Sequence, residues 1–249
     1  MAKSVLLTGI VTGAFLVGTT QAAFTDGDDN GTNQFQAGYW VPQHMSLVGT
    51  ARCAASTTDV VTVTAPIPVG NTLIVRMTTR DGDVTNPTAA DSRGNTYQRD
   101  AYVDANKIDY AIFSAAVTTA LSPGDTITVT HAGDTRGTFV RVDEFAGIRA
   151  TNRVYATNTD NGNAKSASVS VQVPYRYGLV IAGVGIKDSP VVVTPTGWTI
   201  LNNESSSCDR DLTSSAGYLI TSATGTVTFD PSLAQKKHYS TAIVVYRGA

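Results

Sequence analysis

The sequence predicts an all-β protein built as two tandem antiparallel sandwich units behind a short leader. Three observations carry that expectation. From Ser46 onward, short runs of alternating apolar residues recur between Gly, Pro, Asn and Asp. Thr, Ser, Val, Ala and Gly dominate, and long stretches rich in Leu, Lys and Glu at helical spacing are absent. The runs also fall into two sets with matching order over about a hundred residues, the mark of a tandem duplication.

Taken in order, residues 1–22 read as an export signal. After Met1–Ser4, with its single Lys3, comes the apolar run VLLTGIVTGAFLVG and then TTQA. That stretch is too short to span a bilayer comfortably and is flanked by small residues at Thr20 and Ala22, so cleavage is expected after Ala22. The mature chain is expected to be secreted, extracellular or on the cell surface, with no stable membrane insertion. Residues 23–43 form an N-terminal segment, 44–150 the first sandwich unit and 151–249 the second.

In the first unit, DVVTVTAP, NTLIVRMTT, NTYQRDAYV, IDYAIFSAAV, DTITVTH and TFVRVDEFAG read as strands. In the second, ASVSVQVP, YGLVIAGVGI, GWTILNN, AGYLITSA, GTVTFDP and STAIVVYRG do the same. Alternation of this kind turns one face to a core and the other to water. Matching the sets by pattern pairs Val61, Val63, Ala65 and Pro66 with Val169, Val171, Val173 and Pro174. It pairs Leu73 and Val75 with Leu179 and Ile181, Gly94 with Gly197, YAIFSA with YLITSA, and VDEFAG with IVVYRG. Each unit would hold roughly seven or eight strands, the size of a jelly-roll or immunoglobulin-like sandwich. RATNRVYATNTDNGNAK contains the boundary, as linker plus the first strand of the second unit.

Charge excludes some functions. The 249 residues carry 18 Lys and Arg against 20 Asp and Glu, with no run of either sign, so neither nucleic acid nor a polybasic membrane contact is expected. Cys53 and Cys208 are the only cysteines and are a disulfide candidate in an oxidising compartment. Closing so long a loop would stabilise the fold by about 5 kcal/mol, and two separate thiols stay open as the alternative.

The stretch AFTDGDDNGTNQFQAGYW supplies two readings. Asp26, Asp28 and Asn30, with Gly31, fall on the first positions of a calcium loop, but the twelfth position is Ala37 where a bidentate Glu is required. A calcium ion held with other oxygens and a plain turn both remain open. Phe35, Ala37, Tyr39 and Val41 alternate with Gln34, Gln36, Gly38 and Trp40 ahead of Pro42, which describes a strand with one apolar face. Such a strand at the free end of a chain can pair within its own sandwich or complete a neighbour's sheet.

Catalytic signals are few. No HExxH and no Gly-x-Ser-x-Gly occurs, and His44, His131 and His238 stand apart from any nucleophile motif and read as surface residues. Asp143 and Glu144 are adjacent on a strand, so they face opposite ways and cannot act as a pair. The chain is therefore expected to be non-catalytic and to need no cofactor, calcium aside. Tyr39, Trp40, Tyr97, Tyr102, Tyr155 and Trp198 are candidates for stacking on glycans, with Trp198 read as a core residue closing one sandwich.

Two resemblances refine this. PTGWTILNN, AGYLITSATGTVTF and AIVVYRGA, with DSRGNTYQRD and VRVDEFAGI, resemble β-sandwich modules of large bacterial surface and secreted proteins; those motifs are structural. The sequence AAFTD…NGTNQFQAG after an export signal resembles the mature start of the TasA/camelysin class, through Phe24, Asp26, Asn33, Phe35, Ala37 and Gly38. The Leu-Asp-Leu that often follows in that class is replaced by YWV. This resemblance implies export through a dedicated signal peptidase and assembly into a homo-polymer in which the N-terminal segment completes a neighbouring subunit's sheet. An adhesin contacting glycans or cell-surface components is the alternative.

Overall fold

The sequence TLIVRMTTR alternates, yet every one of its nine positions is buried, because it forms the centre of a sheet covered on both faces. In the computed structural model, residues 43–46, 50–52, 56–80, 84–105, 107–133, 135, 137–188, 190, 192–206 and 211–249 are described. These residues contain strands and no helix. The first half carries β1 (Gln43–Ser46), β2 (Thr50–Arg52), β3 (Thr58–Thr62), β4 (Thr72–Arg80), β5 (Thr85–Asp91), β6 (Tyr97–Val103), β7 (Ile108–Ala116), β8 (Thr126–Ala132) and β9 (Gly137–Ala146). The second carries β10 (Val154–Ser166), β11 (Val169–Val173), β12 (Leu179–Lys187), β13 (Val192–Val193), β14 (Thr199–Ser205), β15 (Leu212–Ile220), β16 (Gly225–Phe229) and β17 (Ser232–Tyr246). The described residues, from Gln43 onward, belong to one compact unit.

Both halves have an inner sheet with the same order. The first runs β1-β9-β4-β7-β6, with β2 also on β9; the second runs β10-β17-β12-β15-β14, with β13 also on β17. A β-bulge sits at corresponding places, between Arg99 and Ala101 against β7 and between Ile200 and Asn202 against β15. Outside the first inner sheet lies β3-β8-β5, and outside the second lies β11-β16. Val61, Val63, Ile127 and Val129 of the one outer sheet pack on Leu73, Val75, Met77 and Phe113. Val169, Val171, Val173 and Phe229 of the other pack on Val180, Ala182, Val184 and Ile243.

The two inner sheets also pack on each other. Ile74, Tyr110, Ile112 and Phe145 of the first half meet Leu179, Ile181, Ala242, Val244 and Tyr246 of the second. The molecule is thus four sheets deep. This corrects the expectation that the second face of each strand meets water: on β4, β7, β12 and much of β9, β15 and β17 it meets the other half. Two glycines make the approach possible. A Cβ on Gly183 would lie 1.9 Å from Tyr110 Oη, and one on Gly185 would lie 2.3 Å from Thr78 Cγ2.

Ladder positions also correct the pattern-based pairing of the halves. Glu144 faces Leu73, and its counterpart Val245 faces Val180, so Leu73 answers to Val180 rather than Leu179. Thr78 faces Tyr110 while Gly185 faces Ser214, so Tyr110 answers to Ser214 rather than Tyr218. Val61 faces Ile127 and Val171 faces Val227, which makes Val171 the partner of Val61. A pattern of period two fixes neither offset, and a slip of one residue exchanges the faces.

Candidate functional site

Three places in the molecule concentrate polar groups or unfinished surface. The first is the seam between the inner sheets. Arg76 of β4 holds Asp143 of β9 through two nitrogens, and its Nη1 donates to Asn202 Oδ1 of β14. Asn202 Nδ2 donates onward to the Ser214 carbonyl at 2.8 Å. Tyr246 Oη donates to Asp100 Oδ2, and Arg153 Nε to Ser114 Oγ at 2.6 Å. Burial raises the Asp100 carboxyl above its ordinary range, against the hydrogen bonds from Ser114 and Tyr246 and the charge of Arg153. At the seam's rim, Lys237 Nζ lies 2.7 Å and Arg80 Nη2 3.2 Å from the carboxylate of Asp188. Burial acts against that carboxylate, yet the two cations hold it below its ordinary range. Arg76 to Asn202, Tyr246 to Asp100, Arg153 to Ser114 and Arg80 to Asp188 cross between the halves, while Asp143 and Lys237 pair within their own half, so the charges at the seam are paired as burial requires.

The second place is a cleft of about 550 Å³ at one end of the seam. Asp104, Ala105 and Lys107 of the β6–β7 connection and Ile108 of β7 face Asn161, Gly162, Asn163, His238 and Tyr239 across it. The Tyr239 ring lies over Gly162, and its hydroxyl donates to Asp160 Oδ2 at 2.7 Å. Burial and that carboxylate push the phenol up to about 12.

The third is the outer sheet of the second half. In the first half β8 is paired on both sides, by β3 and β5. Among the described residues its counterpart β16 is paired by β11 alone. Antiparallel strands send alternate backbone groups to alternate sides. Ala167 N donates to the Pro231 carbonyl on the β11 side, so Phe229, Val227 and Gly225 face β11, while Thr226 and Thr228 face the open side. There Trp198 Nε1 donates to the Thr228 carbonyl at 3.3 Å. The floor beside this edge is apolar. Trp198, Leu219 and Val227 are half-buried against the core, and Ile200 is 39% exposed. Ladder counterparts in the first half are Tyr97 for Trp198 and Arg99 for Ile200, with Pro87 and Ala89 of β5 above them.

The residues singled out by sequence are placed as follows. Phe35, Ala37, Tyr39 and Val41, the calcium candidates Asp26, Asp28 and Asn30, and Cys53 and Cys208 lie outside the described residues, as do Trp40 and the leader. Asp143 and Glu144 face opposite ways as expected: Asp143 meets Arg76, and Glu144 accepts from Asn71 Nδ2. His131 is not a surface residue. It is 3% exposed, with Nδ1 3.1 Å from the Gly133 carbonyl and Nε2 3.9 Å from Asp59 Oδ2. His238 lines the cleft. Of the described aromatic candidates, Tyr97 donates to Asp91, Tyr102 to the Val84 carbonyl, and Trp198 packs edge-on to Phe229 at 5.0 Å, closing its sandwich. Tyr155 is 43% exposed.

The Asp-Ser-x-Gly-Asn-x-Tyr stretch is a structural clamp. Asp91 accepts from the amides of Arg93 and Asn95, from Asn95 Nδ2 and from Tyr97 Oη, around Gly94 at φ 78°. Asn95 Oδ1 in turn accepts from the amides of Thr118 and Thr119. Sequence reasoning missed the open β16 edge. Between GLVIAGVGI and GWTILNN the sequence offers only the short run VVVT between Pro190 and Pro195, and its Val192–Val193 pairs with β17 of the inner sheet as β13, not with β16. Compared with protein-family models, curated proteins and solved structures, the chain matches none of them.

Proposed function

We propose that the mature protein is a secreted, non-catalytic structural subunit of extracellular filaments or matrix, assembled with copies of itself by donation of its N-terminal strand. The observation that supports this reading most is the unequal covering of the halves. Among the described residues, one outer sheet has three strands, and the other has two and an apolar floor beside its edge. An added strand supplies backbone hydrogen bonds along such an edge and side chains to its floor. The alternating segment Phe35–Val41 is the part of the sequence suited to supply it. The buried charged groups of the seam serve cohesion, which fits a building block. Electron microscopy of purified full-length protein and of protein lacking residues 23–41 tests the reading. Ordered fibres from the first and dispersed particles from the second are expected; fibres of normal morphology from the truncated form contradict it.

A second reading, an adhesin or carbohydrate-binding module, draws on the cleft lined by Asn161, Asn163, His238 and Lys107 and on exposed Tyr155. Binding of a glycan in an array, with or without chelator, supports it. No binding in either condition removes it.

A further inference from the structure

We infer that the open side of β16 receives the Phe35–Val41 segment of a second copy of this chain, and not the chain's own. This rests on the strand-donation reading and adds where the strand goes and which copy it comes from.

The first half supplies the template. There β5 lies along β8, facing Pro87 and Ala89 inward over Tyr97, Arg99 and Phe113, and Ser92 N donates to the Thr126 carbonyl at the end of the ladder. Thr226 and Thr228 present the corresponding groups on β16. β5 spans seven residues, as does Phe35–Val41. The floor differs in the direction that an apolar donor requires. Where Arg99 reaches the Pro87 carbonyl under β5, the second half has Ile200, uncharged and 39% exposed. Trp198, Leu219 and Val227 complete a surface matched to Phe35, Ala37, Tyr39 and Val41 on one face of a strand. The indole that now holds the Thr228 carbonyl yields it to the incoming backbone.

Reach decides the copy. β1 lies in the inner sheet of the first half, and β16 lies beyond the inner sheet of the second. At roughly 10 Å between packed sheets, β1 and β16 stand about 20 Å apart across the layers. Only Pro42 separates Val41 from Gln43, the first residue of β1, which allows at most about 7.6 Å of chain. A chain's own Val41 therefore cannot lie beside its own β16. Donor and acceptor occupy different parts of the molecule, so the contact is head-to-tail, and it grows as an open polymer where its rotation does not close a ring.

The test replaces Tyr39 by p-benzoylphenylalanine in the full chain and irradiates an equal mixture of ¹⁴N- and ¹⁵N-labelled protein under assembly conditions. Mixed-isotope adducts on Trp198, Ile200, Leu219 or Val227 are expected. Adducts confined to one copy, or mapping elsewhere, overturn the inference. Two surface variants give a second readout. Thr228→Pro removes an amide that points away from β11, and Ile200→Glu charges the floor at an exposed position. Both should retain the wild-type melting transition and raise the concentration needed for assembly at least tenfold. Assembly at the wild-type concentration overturns the inference and leaves strand donation to a different edge standing; wild-type protein that forms no filament removes both.

Discussion

The two halves build the same inner sheet, bulge included, and then finish it differently. The first closes its outer layer with β5 and ties the connection before β6 with the Asp91–Asn95 clamp. In the second, among the described residues, a Trp198 indole takes the place of such a clamp, covering Gly217 and capping the β16 edge. Inside, they differ again. The first half places Arg76 and Thr78 in the seam where the second has Gly183 and Gly185, so side chains of one sheet enter spaces left by the other. Among the described residues, the first half completes its outer sheet with a third strand, and the second leaves one side of β16 without a neighbouring strand. The difference teaches that equivalent ladders need not carry equivalent jobs.

The seam is where that comparison breaks most easily. Arg76→Ala leaves Asp143 buried without its cation and Asn202 without its donor. Removing one partner of a buried pair costs about 3–5 kcal/mol, so urea unfolding should show a loss of that size. A loss below about 1 kcal/mol would mean that the seam is wet and loosely held. Gly185→Ala comes next. Its Cβ would meet Thr78 Cγ2 at 2.3 Å and Ile108 Cγ2 at 2.8 Å, an overpacking of about 1–3 kcal/mol. Adding Thr78→Ser, which removes one of the clashing methyls and keeps the hydroxyl, should recover part of that loss. Strict additivity of the two changes in a double-mutant cycle would contradict the contact.

The smallest effect is a pH dependence. The folded state holds the Asp100 proton more firmly than the unfolded state does, because burial raises this carboxyl. The stability it contributes is fully present below the ordinary carboxylate pKa of about 3.9 and declines as pH rises through the raised value. Asp100→Asn should flatten the fall in melting temperature over that range while the buried Glu144, whose carboxyl is also raised by burial against Asn71, still titrates in both proteins. Parallel profiles would remove Asp100 as the source.

Much of the fold was legible. Runs such as DTITVTH and GTVTF carry period-two alternation and became β8 and β16. β5, with the sequence TNPTAAD, was not visible, since it has no large apolar side chain and contains a proline. The polar first half of β17, SLAQKKH, was missed for a related reason: it is held by its ladder to β10 rather than by an apolar face. The seam escaped because Arg76, Asp143 and Asn202 look like solvent residues until the other half covers them. The β16 edge was illegible because a missing strand leaves no pattern of its own; only the comparison with β8 reveals it.

The most direct test of the account is amide hydrogen exchange read at β8 and β16 together. In dispersed protein, the amides of Thr128 and Thr130, covered by β5, should exchange slowly, and those of Thr226 and Thr228 quickly. On assembly, Thr226 and Thr228 should become as protected as Thr128 and Thr130, and protein lacking residues 23–41 should show no change. Assembled protein whose Thr226 and Thr228 amides exchange as fast as in the dispersed state would contradict it.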